Sequence, residues 1–133
     1  MKRMHFGLSV SNLDESVQFY SRLFGVAPTL ERSDYAKWML DDPYINFSVC
    51  SNSNEPPGVS HLGIQLETNA ELELLRQEWD SRGLSRADQD DLVCGYQSQD
   101  KSWVYDPEQV PWEAFVTHGV TDGYGTNEMP SPS

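Results

Sequence analysis

The feature that most restricts how this chain can fold is a repeated strand motif. His5-Phe6-Gly7-Leu8-Ser9-Val10 recurs as His61-Leu62-Gly63-Ile64-Gln65-Leu66, 56 positions later. Each copy reads His-apolar-Gly-apolar-polar-apolar, and each is followed by a polar turn and then a helical pattern ending in glycine. A repeat of this length marks one structural unit used twice.

The elements follow the same order in both halves. Asn12 is placed to cap a helix, and Glu15, three residues on, completes a capping box. Leu13, Val17, Phe19, Tyr20, Leu23 and Phe24 give that helix an apolar face, and Gly25 stops it. Extended segments follow near residues 26–30, 35–40 and 45–50. Residues 52–58, rich in Ser, Asn, Pro and Gly, read as a linker. The second half then predicts a strand at 61–66, a helix opening at Thr68-Asn69 and closing at Gly83, and an acidic irregular stretch at 85–91. Strands at 93–97, 102–105 and 112–117 complete it, with Lys101 in a solvated turn. Trp38-Met39-Leu40 parallels Trp103-Val104-Tyr105, and Ile45-Asn46-Phe47 parallels Trp112-Glu113-Ala114. The expected fold is therefore α+β: two tandem βαβββ modules forming a curved mixed sheet around a cleft. Module one spans 1–51 and module two 59–118 of a single domain at 1–118, followed by a flexible tail at 119–133.

If first strands meet near a pseudo-two-fold axis and last strands flank them, the facing positions are His5, Asn46, His61 and Glu113. Two imidazoles and one carboxylate form the facial ligand set of a non-haem divalent-metal site, which leaves open coordination positions. Such a set suits Fe(II) and also accepts Ni, Co, Mn or Zn. Glu113 lies between Trp112 and Phe115, where a carboxylate is costly unless paired or coordinated. His118, past the last expected strand, is assigned no role. Cys94 opens the segment Cys94-Gly95-Tyr96 and offers a thiol to the cavity. Cys50 reads as a small buried hydrophobe. Tyr35, Trp38, Tyr96 and Trp103 either wall that cavity or pack the core.

Charge narrows the partners. A net charge of −12 repels phosphate backbones and anionic membranes, so nucleic acid is not expected, and a small-molecule substrate is. Two cysteines do not make a disulfide framework. No apolar run precedes His5, and no stretch reaches the roughly 18 apolar residues of a membrane span. The expectation is a cytoplasmic chain with reduced thiols.

These residues resemble the vicinal oxygen chelate superfamily of glyoxalase I, fosfomycin and bleomycin resistance proteins and extradiol dioxygenases. Within it the chain is most similar to the cadmium-induced protein and carbon–arsenic lyase family. The likeness runs through residues 5–10, Phe19-Tyr20-Ser21-Arg22-Leu23-Phe24-Gly25, residues 35–40, His61-Leu62-Gly63-Ile64-Gln65 and Asp100-Lys101-Ser102-Trp103-Val104. The resemblance implies an Fe(II)-dependent dioxygenase that cleaves the carbon–arsenic bond of trivalent organoarsenicals. It assigns His5, His61 and Glu113 to the metal and implies a homodimer. Where that family carries adjacent cysteines for arsenic, this chain reads Cys94-Gly95, which leaves the substrate open. A glyoxalase-like isomerase or thiol transferase is the alternative enzyme, and a resistance-type ligand binder the non-enzymatic one.

Overall fold

The computed structural model describes residues 1–94 and 97–120. They contain two helices and eight strands. The order is β1 (Arg3–Ser9), α1 (Leu13–Phe24), β2 (Leu30–Glu31), β3 (Tyr35–Asp41), β4 (Tyr44–Cys50), β5 (Gly58–Gln65), α2 (Asn69–Ser81), β6 (Ala87–Cys94), β7 (Gln97–Tyr105) and β8 (Pro111–Val120). The β-α-β-β-β order occurs twice, as the sequence predicts. The chain divides into two compact units, Arg3–Leu62 on one side and Met1–Lys2 with the residues from Gly63 onward on the other, so that β5 contributes to both.

In the first unit the strand order is β2-β3-β4-β1-β5. β1 lies parallel to β4, while β3 is antiparallel to both β2 and β4. Helix α1 forms where the capping residues predict: the Asn12 side chain accepts from the Glu15 N–H at 3.0 Å. Gly25 ends it with φ 77°, a left-handed conformation that glycine adopts without a side-chain clash. One sheet face meets this helix. Leu13, Ala36, Trp38, Phe47 and Val49 are buried there, with Phe6, Leu8, Val17, Tyr20 and Phe24 against them. Rings interlock within it, Tyr20 lying 4.6 Å from Phe47 and Phe24 5.2 Å from Phe47. Strand alternation sends His5, Gly7 and Ser9 of β1, Lys37 of β3, and Asn46 and Ser48 of β4 to the opposite face. Those polar side chains are buried as well.

The second unit orders its strands β5-β8-β7-β6, with β7 antiparallel to β6 and β8. Thr68 caps α2 by accepting from the Glu71 N–H at 3.1 Å. Leu66, Leu72, Leu75, Trp79, Ala114 and Val116 form its core. The acidic stretch expected to be irregular is part of β6 instead, with a register shift between Gln89 and Leu92. Its acids have partners, which is why the strand holds. The buried Arg76 guanidinium donates to Asp90 at 2.7 Å and to the Ser102 hydroxyl at 2.6 Å. That hydroxyl in turn donates to Asp88 at 2.6 Å. The last strand runs on to Val120, beyond the Thr117 suggested by apolar content alone. Residues 121–133 of the expected tail lie outside the described residues.

The Asn12→Ala substitution removes the cap that starts α1. It should lower unfolding free energy by about 0.5–2 kcal/mol, read as a lower urea midpoint at unchanged slope.

Candidate metal centre

His5 sits on β1 directly opposite Asn46 of β4. Its Nδ1 lies 3.0 Å from the Asn46 carbonyl oxygen. A carbonyl only accepts, so Nδ1 carries a proton and in the neutral ring Nε2 keeps its lone pair. His61 on β5 is set the same way by a different device. Its Nδ1 is 3.0 Å from the Ser60 hydroxyl oxygen. The Ser60 hydroxyl donates its single proton to Glu55 Oε1 at 2.9 Å, so its oxygen accepts from His61 Nδ1. The hydrogen-bond network thus assigns both rings the same tautomer.

The two Nε2 atoms are 3.0 Å apart. In neutral rings this brings two lone pairs face to face, which is repulsive unless a cation sits between them. Two nitrogens each about 2.1 Å from one ion, at right angles to each other, are about 3.0 Å apart. The pair therefore fits a metal ion by spacing and tautomer. Each ring is also oriented through its far nitrogen, as metal-binding imidazoles are.

Glu113 lies on β8, 3% exposed, with Trp103 as its cross-strand partner on β7. The Lys101 ammonium donates to Glu113 Oε2 at 3.0 Å. The sequence suggests a solvated turn for Lys101, and the structure corrects this. β7 runs unbroken through Asp100-Lys101-Ser102, and Lys101 is 1% exposed. Its Nζ is 5.4 Å from the Trp103 ring centre and 5.8 Å from that of Phe115. Reading residues 97–105 as one strand puts Lys101 on the face of Trp103, where an ammonium needs an acid. That alternation was the available signal.

Backbone bonds also correct the register between modules. Val10 N–H donates to Cys50 at 3.0 Å, and Leu66 N–H donates to Phe115 at 2.8 Å. Val10 and Leu66 are matched by the duplicated strand, so Cys50 matches Phe115 and Ser48 matches Glu113. The sequence register, with Asn46 against Glu113, is two residues off. A shift of two keeps the face, so the corrected register leaves Glu113 on the same face of its sheet. The match of Trp38 with Trp103 is one residue off and does change the face. Trp38 belongs to the helix-side core, whereas Trp103 faces with Glu113, at the position that Lys37 holds in module one.

Lys37 is 5% exposed, and burial lowers its ammonium pKa to about 8. Cys94 ends β6, and its side chain lies outside the described residues, as do Gly95 and Tyr96. Cys50 ends β4 and is half-buried, where the sequence suggests full burial. His118 pairs with Asp100 at 2.9 Å.

A doubled βαβββ unit with paired strand-borne imidazoles defines a class of proteins that build metal or ligand sites on β-strands. The chain belongs to the Glyoxalase/Bleomycin resistance protein/Dioxygenase superfamily, whose sequence pattern matches residues 2–114. It is 38% identical over 132 residues to the trivalent organoarsenical cleaving enzyme of Bacillus sp. (strain MD1), covering 96% of this chain and 80% of the relative. It is 25% identical over 126 residues to the cadmium-induced protein CadI of Mycobacterium bovis, covering 95% and 83%. In structure it resembles homoprotocatechuate 2,3-dioxygenase from Arthrobacter globiformis, with TM-score 0.63 and 16% identity, over 90% of this chain and 37% of that one. This last likeness is one of fold.

Two outcomes follow from the buried lysines. Lys101→Met leaves Glu113 buried without its ammonium partner and should destabilise the metal-free protein by about 3–5 kcal/mol, with part recovered in Lys101→Met/Glu113→Leu. Lys37 has a folded pKa below its unfolded value of 10.5. Between about pH 8 and pH 10.5 the unfolded state therefore binds more protons at this site, and stability rises with pH. Below pH 8 the penalty for charging the buried amine is fully present. Denaturation at stepped pH should show this rise in the wild type relative to Lys37→Met.

Proposed function

We propose that this protein is a divalent-metal-dependent enzyme, a non-haem Fe(II) dioxygenase that cleaves carbon–arsenic bonds of trivalent organoarsenicals. His5, His61 and Glu113 hold its metal. The observation that carries this reading is the pair of Nε2 atoms at 3.0 Å, each on a ring oriented by a hydrogen bond at its far nitrogen. Glu113 adds support as a buried carboxylate on β8, the strand next to β5 in the sheet. Two neutral nitrogens and one carboxylate suit Fe(II), and Mn, Co, Ni or Zn by the same donor chemistry.

When bound, a divalent ion supplies a Lewis acid with coordination positions open to exchange. The protein's own groups do the rest. Asn46 O and the Ser60–Glu55 pair hold the imidazoles in the metal-binding tautomer. Lys101 fixes the direction of the Glu113 carboxylate. The relative's name supports the arsenical substrate. Cys94 supplies one thiolate to trivalent arsenic, and Gly95 supplies none. We assign the anchoring of substrate to Cys94 and read the working protein as a homodimer.

The test is metal content followed by turnover. Wild type should carry about one divalent ion per chain, and His61→Ala and Glu113→Gln should lose it by about tenfold or more. The Fe(II) protein under air should convert methylarsenite to arsenite, and Cys94→Ser should keep the metal while losing that turnover. Metal content unchanged in His61→Ala contradicts the site. A fully iron-loaded protein without turnover contradicts the arsenical substrate.

A further inference from the structure

Glycine in mid-strand weakens a sheet, because it packs nothing and loses more backbone freedom on folding. Gly7 and Gly63 each stand two residues after a histidine, inside β1 and β5. Backbone conformation does not call for glycine at either place. The described glycines with positive φ are Gly25, Gly58 and Gly83. Space does call for it. A Cβ on Gly7 would lie 2.4 Å from His61 Cε1, 2.6 Å from its Nε2 and 3.0 Å from its Nδ1. A Cβ on Gly63 would lie 2.8 Å from Glu113 Cγ and 2.7 Å from the Glu113 carbonyl oxygen. Cβ atoms do not sit this close to any heavy atom without a shift.

We infer that Gly7 and Gly63 are positioning residues: Gly7 makes the seat for the His61 imidazole, and Gly63 the seat for the Glu113 side chain. The inference rests on the proposed metal site and assigns the second residue after each repeated histidine its purpose. The glycine of module one clears the ligand of module two, and the glycine of module two clears the carboxylate. The two seats differ in what would yield. At Gly7 the obstacle is a ring at the end of a side chain, which can rotate away. The fold tolerates that movement, but Nε2 leaves its place beside His5. At Gly63 part of the obstacle is backbone, so β5 and β8 must part, and folding itself suffers.

The experiment compares apoprotein variants by Co(II) titration against a competing chelator, by thermal melting, and by histidine ring signals in NMR spectra. Gly7→Ala should melt within about 4 °C of wild type and bind Co(II) about tenfold or more weakly. Its His5 and His61 ring signals should shift without metal. In a His61→Ala background the same substitution should cost no further affinity, since the ring it displaces is gone. Gly63→Ala should melt well below Gly7→Ala. Wild-type Co(II) affinity together with unchanged ring signals in Gly7→Ala overturns the inference. If Gly7→Ala fails to fold, Gly7→Ala/His61→Ala should fold like His61→Ala, and its failure to do so overturns the inference equally. If wild type itself takes up no Co(II), the metal reading falls. The ring signals of apo Gly7→Ala then decide the seat alone: shifted signals support it, and unshifted ones refute it.

Discussion

Two imidazole Nε2 atoms lie 3.0 Å apart, and in neutral rings their lone pairs repel unless positive charge lies between them. Each ring is oriented through its far nitrogen. The proton of one is committed to a main-chain carbonyl, and that of the other to a serine whose own proton is committed to Glu55. With both rings neutral this arrangement favours a cation between them, and β1 and β5 are the strands that carry the rings. A site built on strands is held more firmly than one built on loops, which suits a geometry of this tolerance.

The two units use their sheets alike. One face of each is given to a helix and an apolar core. The other face also carries buried polar side chains, beside Trp103 and Phe115 in the second unit, and buried polar groups call for partners. Lys101 and Glu113 show the obligation in its strongest form, an ion pair in which neither side chain is more than 3% exposed. Exchange of such a pair for apolar residues need not cost stability. The Lys101 ammonium, bonded to Oε2, orients the carboxylate on its strand.

Much of this was legible in the amino-acid order. The duplicated His-x-Gly strands, the Asn12–Glu15 cap and the glycine after each helix are local signals, and they predicted both modules. Glu113 was legible because an acid among Trp112 and Phe115 is costly to bury unless a cation meets it. Lys101 was not, because polar neighbours at 98–102 hide a continuous strand whose alternation shows only once its β8 partner is known. β6 was missed for a related reason. Asp88 and Asp90 repel one another in the sequence and settle only when Arg76 reaches them from α2. The inter-module register slipped because two tryptophans, Trp38 and Trp103, look equivalent and face opposite ways. The purpose of Gly7 depends on a contact across 54 residues of chain, beyond any local pattern.

The most direct test is diffraction from crystals of the Fe(II)- or Co(II)-loaded protein, with data collected on both sides of the metal's absorption edge. The account predicts one anomalous peak per chain, about 2.0–2.2 Å from His5 Nε2, His61 Nε2 and a Glu113 oxygen. A strongly bound ion elsewhere, with the two imidazoles still facing each other and no density between them, would contradict it.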